Sequence, residues 1–463
     1  MTPKIILYEL NEVPRRLLDF YIKIKPNSAF AEVSKNGLIL NTITRDNGEL
    51  HPWSTWPTVH RGIYNEFHNI RFLNQDLSHA NLYKPVWEIL SENLIKTGVF
   101  GSLQSHPPLI NKNINFYLPD TFSPDANAYP KELNLFQEFN LIMAGENKAI
   151  SRSIGINQIK LFTNLLFKNV ISPKATFKTL AHIIKEKYNP KFKARRSTLQ
   201  NVLAFDLFFK TVNKYKPNFC TYFTNHVAGI MHRYWKDLFP EDFNIGLEDI
   251  DKFHSNSIIK AMDLANNDLS KLIKLSKKED YNIWIISSMG QDANQIDEYI
   301  PELMIRNFNK LLFVLGLNKK SYKLLPAMQP DYIIEAVDNR SLKLIRNALK
   351  GITDKEGQQL IIERYPPEKL TLNISLLSSK SLIKSLFIKF KEKNLPIKSL
   401  GFELIQRDVG SAYHIPEGIF CLYGNDIYRF EKYKDQQIET SRICPTILKT
   451  FGIDRPSYMQ ESL

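Results

Sequence analysis

Cysteine is scarce: Cys220, Cys421 and Cys444 are the three in 463 residues, widely spaced and without a metal-ligand pattern. That usage excludes a disulfide framework and is expected of a protein working in a reducing cytoplasm. Long apolar runs are missing too. Those present, such as Ile283 to Ile286, are strand-sized, against the roughly 18 consecutive apolar residues of a membrane span. The chain opens Met-Thr-Pro-Lys and passes directly into Ile5-Ile6-Leu7-Tyr8, which reads as a first β-strand and not as an export signal. No repeat of solenoid period and no low-complexity run is present. A composition of 43% hydrophobic and 12% aromatic residues is that of a globular protein. The length suits one large α/β domain with an insertion, or two domains.

Acidic residues are nearly absent from one segment. Between Arg152 and Lys216, fourteen Lys or Arg face two acids, Glu186 and Asp206, so this stretch carries +12 of the chain's +13. Such a module predicts an anionic partner: phosphorylated substrate, lipid headgroups or nucleic acid. No nucleic-acid motif accompanies the charge, which disfavours that partner. A solvated lysine face is the ordinary alternative. The interleaved Phe and Leu favour an anionic membrane surface bound through residues 152–216.

Hydrophobic periodicity predicts strands at Lys4–Leu10, Gly37–Ile43, Gly98–Leu103, Asn218–Phe223, Tyr281–Ser287 and Ile419–Tyr423. Helical spacing covers Pro14–Lys25, Lys84–Lys96 and Leu247–Lys274. This alternation predicts a doubly wound, mainly parallel α/β sheet. Its core comprises residues 1–130, 217–330 and 400–463. A basic helical cap occupies 131–216, with helices at 159–167, 175–187 and 199–214. A smaller α+β insertion occupies 331–399, with a helix at Ser341–Leu349 and further segments at Gln358–Arg364 and Ser378–Lys393.

In open α/β sheets ligands gather at the carboxyl ends of strands, and four patches stand there. They are Glu9-Leu10-Asn11-Glu12; His51 to Gly62; Thr224 to Trp235; and Ser287-Ser288-Met289-Gly290-Gln291, joined much later by Gly410 to Gly418. In this order they resemble the type I phosphodiesterase/nucleotide pyrophosphatase branch of the alkaline phosphatase superfamily. Asn11 stands where that family ends its first strand in a metal-binding Asp. Thr55-Trp56-Pro57 and Gly62 match the segment supplying its nucleophile, and Asn65-Glu66-Phe67-His68-Asn69-Ile70 the turn that follows. Ala228 and His232 match its Asp-x-x-x-His, Ser287-Ser288-Met289-Gly290 its Ser-Asp-His-Gly, and His414 its late metal-binding His. Cys444 to Ile453 resembles its closing helix. The resemblance implies an alkaline-phosphatase-like fold and phosphoryl chemistry supported by two metal ions.

The departures bear on mechanism. One metal site would here consist of Asn11, Thr55, Ser288 and Met289, an amide, two hydroxyls and a thioether, which is a poor divalent site. The other keeps His232 and His414, both expected in loops, but has Ala228 in place of its Asp. Zinc takes three or four protein ligands. His226 is the nearest third candidate, provided the chain from 226 to 232 is a loop and not a helix. The expectation is no metal or one divalent ion, zinc or manganese.

Thr55 is the candidate nucleophile, and Glu9, Glu12 and His60 are the candidate bases. Glu9 and Asn11, two apart on a strand, share a face. Asn11, Trp56, Arg61, Asn225, Arg233 and Ser288 are the candidate substrate contacts, the two arginines supplying charge for phosphate oxygens. Structural readings stand beside these: Asn11 and Glu12 as caps of a helix near Pro14, Thr55 as a turn residue, Trp56 as core. The expected function is a phosphodiesterase-like hydrolase or transferase. Its substrate is phosphorylated or nucleotide-activated and linked to glycan or lipid. The resemblance extends to proteins of bacterial surface-polysaccharide biosynthesis; cysteine usage and the N-terminus set the expectation of a cytoplasmic protein, and the basic segment that of one peripheral to the inner face of the membrane. Two other readings stay open: a metal-independent glycosyltransferase using a nucleotide-sugar with Glu9 or Glu12 as base, and a catalytically inactive binding module.

Overall fold

The computed structural model of the chain describes residues 2–145, 156–295, 301–327, 331–365, 369–405 and 410–463. An eight-stranded sheet organises it, in the spatial order Gln437–Glu439, Leu38–Ile43, Glu417–Tyr423, Asn282–Ile286, Ile5–Leu10, Phe219–Thr224, Thr97–Phe100, Ile114–Leu118. Ile5–Leu10 runs parallel to both of its neighbours, and both sheet edges are parallel as well. Glu417–Tyr423 alone is antiparallel, to Leu38–Ile43 and Asn282–Ile286. This is the mainly parallel, doubly wound α/β architecture that the alternation predicts. Every residue of Ile5–Leu10 is buried, as a strand covered on both faces requires. Its period of two sends Ile6, Tyr8 and Leu10 toward the helices Thr198–Tyr215, His226–Leu238 and Lys252–Glu279. Ile5 and Leu7 point oppositely, toward Pro52–Arg61, Val86–Glu92 and Ile443–Thr450. The first strand thus sits at the switch point of the sheet, where parallel neighbours leave on either side.

Several boundaries differ from the periodicity, for local reasons. The long helix spans Lys252–Glu279, not Leu247–Lys274. Asp251 caps it by accepting from the Phe253 and His254 amides, and Asp280 ends it in a left-handed conformation. Lys84–Lys96 shrinks to Val86–Glu92, because Pro85 precedes it and Leu94 turns to φ +64°. The strand expected at Gly98–Leu103 is Thr97–Phe100, ended by Gly101 at φ +76°. Ser378–Lys393 divides into a helix, Lys380–Ser385, and a hairpin of Phe387–Phe390 with Lys393–Pro396.

The basic segment is helical, as Ile156–Phe167, Pro173–Tyr188 and Thr198–Tyr215; Arg152, where it begins, lies outside the described residues. Part of its charge is spent inside the fold. Arg196 pairs with buried Glu186, Lys191 with Asp251 at 2.6 Å, and Lys216 with Glu279 at 2.9 Å. Around the expected α+β segment 331–399 lies a separate core that reaches from Leu303 to Phe402 and includes Ile334, Ile345, Leu372 and Ile388. Its four-stranded sheet is antiparallel. Cys220, Cys421 and Cys444 are buried free thiols. Among the described residues, no helix is long and apolar enough to cross a membrane.

Candidate functional site

The chain leaves the first strand through Asn11 and then Glu12, whose φ of +60° turns its side chain back over the carboxyl end of the sheet. The Asn11 amide is oriented by chemistry. The Trp56 indole can only donate, and its Nε1–H reaches Asn11 Oδ1 at 2.7 Å. The Nδ2 hydrogens must therefore point the other way, to Glu12 Oε1 at 2.7 Å and Asn225 Oδ1 at 2.6 Å. Asn11 holds Glu12 in place and turns no free oxygen toward a cation. It caps no helix: Pro14 occupies the capping position of Arg15–Ile24, and no side chain bonds there.

Beyond Asn11, Glu12 meets two histidines. Its Oε2 lies 3.1 Å from His232 Nε2 and 3.4 Å from His414 Nε2, and accepts from Gln291 Nε2. Neither histidine is in a loop: His232 lies on helix His226–Leu238 and His414 on strand Ala412–Ile415. Each ring is anchored by Nδ1, His232 on the Ala412 carbonyl at 2.9 Å and His414 on the Leu50 carbonyl at 2.6 Å. A carbonyl only accepts, so both Nδ1 atoms carry hydrogen. Burial would raise the Glu12 carboxyl, but the charge of His414 and hydrogen bonds from both histidines hold it well below the usual range. The His414 imidazole, which burial would lower, is raised by the Glu12 charge.

His226 is not the third member. The stretch from 226 to 232 is helical, so the two rings diverge. His226 bonds Thr224 Oγ1 at 2.7 Å and the Ala261 carbonyl at 3.1 Å, inside the core, where burial pushes it down to about 4. Glu12, expected as a base, takes that place.

A divalent cation fits these residues. Glu12, His232 and His414 offer three ligand atoms within 4.8 Å of one another. With Nδ1–H committed to backbone carbonyls, the outer support that metal-binding histidines use, each ring is left its Nε2 to offer a cation that displaces the proton shared with Glu12. In addition, Gln291 Oε1 is buried with no hydrogen-bond partner among the described residues. Imidazole and carboxylate together suit zinc or manganese.

Thr55 lies in the first turns of helix Pro52–Arg61, wholly buried, and shares a hydrogen bond of 2.8 Å with Ser288 Oγ. Ser287 ties the adjoining strand end to the first strand through the Leu10 carbonyl at 2.6 Å. Contacts therefore run without a break from Ser288 through Thr55 and its neighbour Trp56 to Asn11, Glu12, His232 and His414. None of the expected bases bonds Thr55. Glu9 and His60 pair with each other at 2.7 Å, and the His60 ring packs on Trp56 and Trp87. Glu9 does share a face with Asn11, but that face is sealed by the helix. Glu9 Oε2 has no partner among the described residues.

The two arginines part company. Arg61 is buried on the far side of the same helix, where its Nη1 donates to the Ala80 carbonyl at 2.7 Å and to that of Tyr83, so it is not free for phosphate. Arg233 follows His232, is half-buried, and makes no hydrogen bond or ion pair among the described residues.

Two residues at this place have no role assigned from sequence, although His51 opens one of the four patches. His51 heads helix Pro52–Arg61, stacks on Trp53 at 4.3 Å and meets His414 edge-on at 5.8 Å. Burial drives it down to about 4 against the pull of Glu49. Glu49 accepts from Tyr413 at 2.7 Å and from Arg364, so the separately cored unit reaches the rim of the site. A histidine immediately before Pro-Trp is the signal that could have revealed His51; Arg364 carries none.

Comparison with family models and with curated proteins finds no match. Among solved structures the chain is similar to nucleotide pyrophosphatase/phosphodiesterases and to a phosphonate hydrolase. Murine ectonucleotide pyrophosphatase/phosphodiesterase 5 is 13% identical, with a TM-score of 0.39 over 99% of this chain and 97% of that one. The human protein is 12% identical, TM-score 0.40, with the same coverage of 99% and 97%. Phosphonoacetate hydrolase from Sinorhizobium meliloti 1021, in complex with phosphonoformate, is 11% identical, TM-score 0.44, over 97% and 95%.

Proposed function

We propose that this chain is a phosphodiesterase-like hydrolase or transferase that uses one divalent cation, zinc or manganese, held by Glu12, His232 and His414. The observation that carries this reading is the pair of Nε2 atoms converging on one buried carboxylate, with both Nδ1 hydrogens anchored behind them. When bound, the cation supplies Lewis-acid stabilisation of phosphoryl oxygens. The chain's own residues do the rest. Asn11 and Gln291 fix the Glu12 carboxylate, Arg233 brings positive charge for a phosphate, and Ser288 orients the hydroxyl of Thr55, the nucleophile. The substrate class is a phosphorylated or nucleotide-activated compound linked to glycan or lipid. The setting is surface-polysaccharide assembly in the cytoplasm, peripheral to the inner face of the membrane, with the basic segment as the attachment. Residues 1–130, 217–302 and 403–463 form the core, 131–216 a cap, and 303–402, somewhat wider than the expected 331–399, an insertion that carries Arg364 to the rim.

The burial of Thr55 and its lack of a bonded base favour a second reading, metal-independent glycosyl transfer with Glu12 as base. Protein stripped by chelator and reloaded with zinc or manganese, assayed with aryl phosphodiesters and nucleotide-sugars, separates them. The proposal expects metal-dependent turnover, lost in Thr55→Ala and in Glu12→Gln. Turnover unchanged by Thr55→Ala removes the nucleophile. Turnover that survives stripping but not Glu12→Gln establishes glycosyl transfer, and no turnover with the cation bound leaves a binding module.

A further inference from the structure

The helix Pro173–Tyr188 in the basic segment is built inside out. An ordinary surface helix buries its large apolar side chains. This one buries Ala175, Thr176, Thr179 and Glu186. Glu186 is held there by Arg196 and by His182 at 3.4 Å. The large apolar side chains face outward: Phe177 is 72% exposed, Leu180 46%, Ile184 57% and Tyr188 82%. At 100° per residue these four fall within an arc of about 80°. Lys174, Lys178 and Lys185 border one edge of the stripe and Lys187 the other, all exposed, and among the described residues none makes an ion pair. Phe167, at the end of the preceding helix, is exposed by 86%.

A stripe of this kind on a water-facing helix marks a surface that is covered in use. The lysine border identifies the cover. A second copy of this chain, docked through the same face, would bring like charges together across the symmetry axis. An anionic bilayer instead offers hydrocarbon to the stripe and headgroup charge to its border.

We propose that Phe177, Leu180, Ile184 and Tyr188 insert into the interfacial region of an anionic membrane, with the flanking lysines seated on its headgroups. This rests on the peripheral reading of the basic segment and adds to it an apolar anchor. The two are separable. The full-length protein is sedimented with vesicles of phosphatidylcholine alone and of equimolar phosphatidylcholine and phosphatidylglycerol, in low and in high salt. Expected is binding about tenfold or more tighter to the anionic vesicles, with a fraction that persists in high salt. Phe177→Ser/Ile184→Ser abolishes that fraction and weakens low-salt binding about tenfold or more. Phe167→Ser/Tyr188→Ser is a second variant pair, and unchanged melting temperatures certify the folding of both. Lys174→Gln/Lys178→Gln/Lys185→Gln removes the preference for anionic lipid. Binding lost entirely in salt and indifferent to both apolar pairs overturns the anchor while leaving the charge reading intact. No sedimentation with either vesicle overturns both. A dimer that the apolar substitutions dissolve assigns the face to a second copy and ends the proposal.

Discussion

Replacing Asn11 by aspartate puts a carboxylate where two hydrogen bonds are donated, to Glu12 Oε1 at 2.7 Å and to Asn225 Oδ1 at 2.6 Å. Two like charges at that separation repel by about 6 kcal/mol at an effective dielectric of about 20. Protonating an aspartate at pH 7 costs about 4 kcal/mol, which is less, so the new side chain takes up a proton. The penalty is then set by pH: about 4 kcal/mol at pH 7 and about 1.5 kcal/mol at pH 5. The sign follows from linkage. An acid whose pKa is raised on folding binds more protons in the native state, so stability falls as pH climbs above the unfolded value. With an unfolding entropy of about 1 kcal/mol/K for a chain of this length, the melting temperature drops by about 4 °C at pH 7 and about 1.5 °C at pH 5. Differential scanning calorimetry of N11D and wild type at both pH values measures this. Equal shifts at the two, or none, would falsify the assigned orientation of the Asn11 amide.

Further outcomes test other parts of the structure. Elemental analysis of zinc-loaded protein finds about one ion per chain in the wild type and in His226→Ala, and loss of that ion in His232→Ala, His414→Ala and Glu12→Gln. Trp56→Phe removes the indole hydrogen that orients Asn11, so zinc affinity by competitive titration falls about 10- to 100-fold. His60→Ala leaves Glu9 buried with no partner among the described residues and costs about 3–5 kcal/mol in urea denaturation. The Asp268 carboxyl, raised by burial to about 8, resists ionisation in the folded state, so stability drains away between the unfolded pKa and about pH 8. Asp268→Asn relieves this, and its melting temperature gains on the wild type between pH 5 and pH 8 by the equivalent of up to about 4 kcal/mol.

The sheet was legible because its central strands are buried on both faces and so read as apolar runs; Ile5–Leu10 and Asn282–Ile286 fall within a residue or two of their expected ends. Asn11, Thr55, His232, Ser288 and His414 were legible as positions at strand ends and in motifs. The role of Glu12 was not. It depends on a left-handed backbone turn and on two histidines about 220 and 400 residues away, and no spacing encodes either. His226 looked better than Glu12 because it is near His232 in sequence, yet helix geometry separates what the chain places side by side. Arg61 has the composition of a phosphate ligand, but its place on the helix directs it to backbone carbonyls. The long helix was misplaced because Leu247 continues its apolar spacing, while the Asp251 cap decides where hydrogen bonding begins.

The unit from Leu303 to Phe402 meets the rim of the site through Arg364 while keeping hydrophobic packing of its own. Its strand residue Ile333 also packs with Trp53, the ring stacked on His51, and a one-residue slip of the strand ending near Arg364 would withdraw that guanidinium from Glu49. A change of size at Ile333 would thus be felt at His51 through Trp53, as a loose hinge shows in the swing of the door.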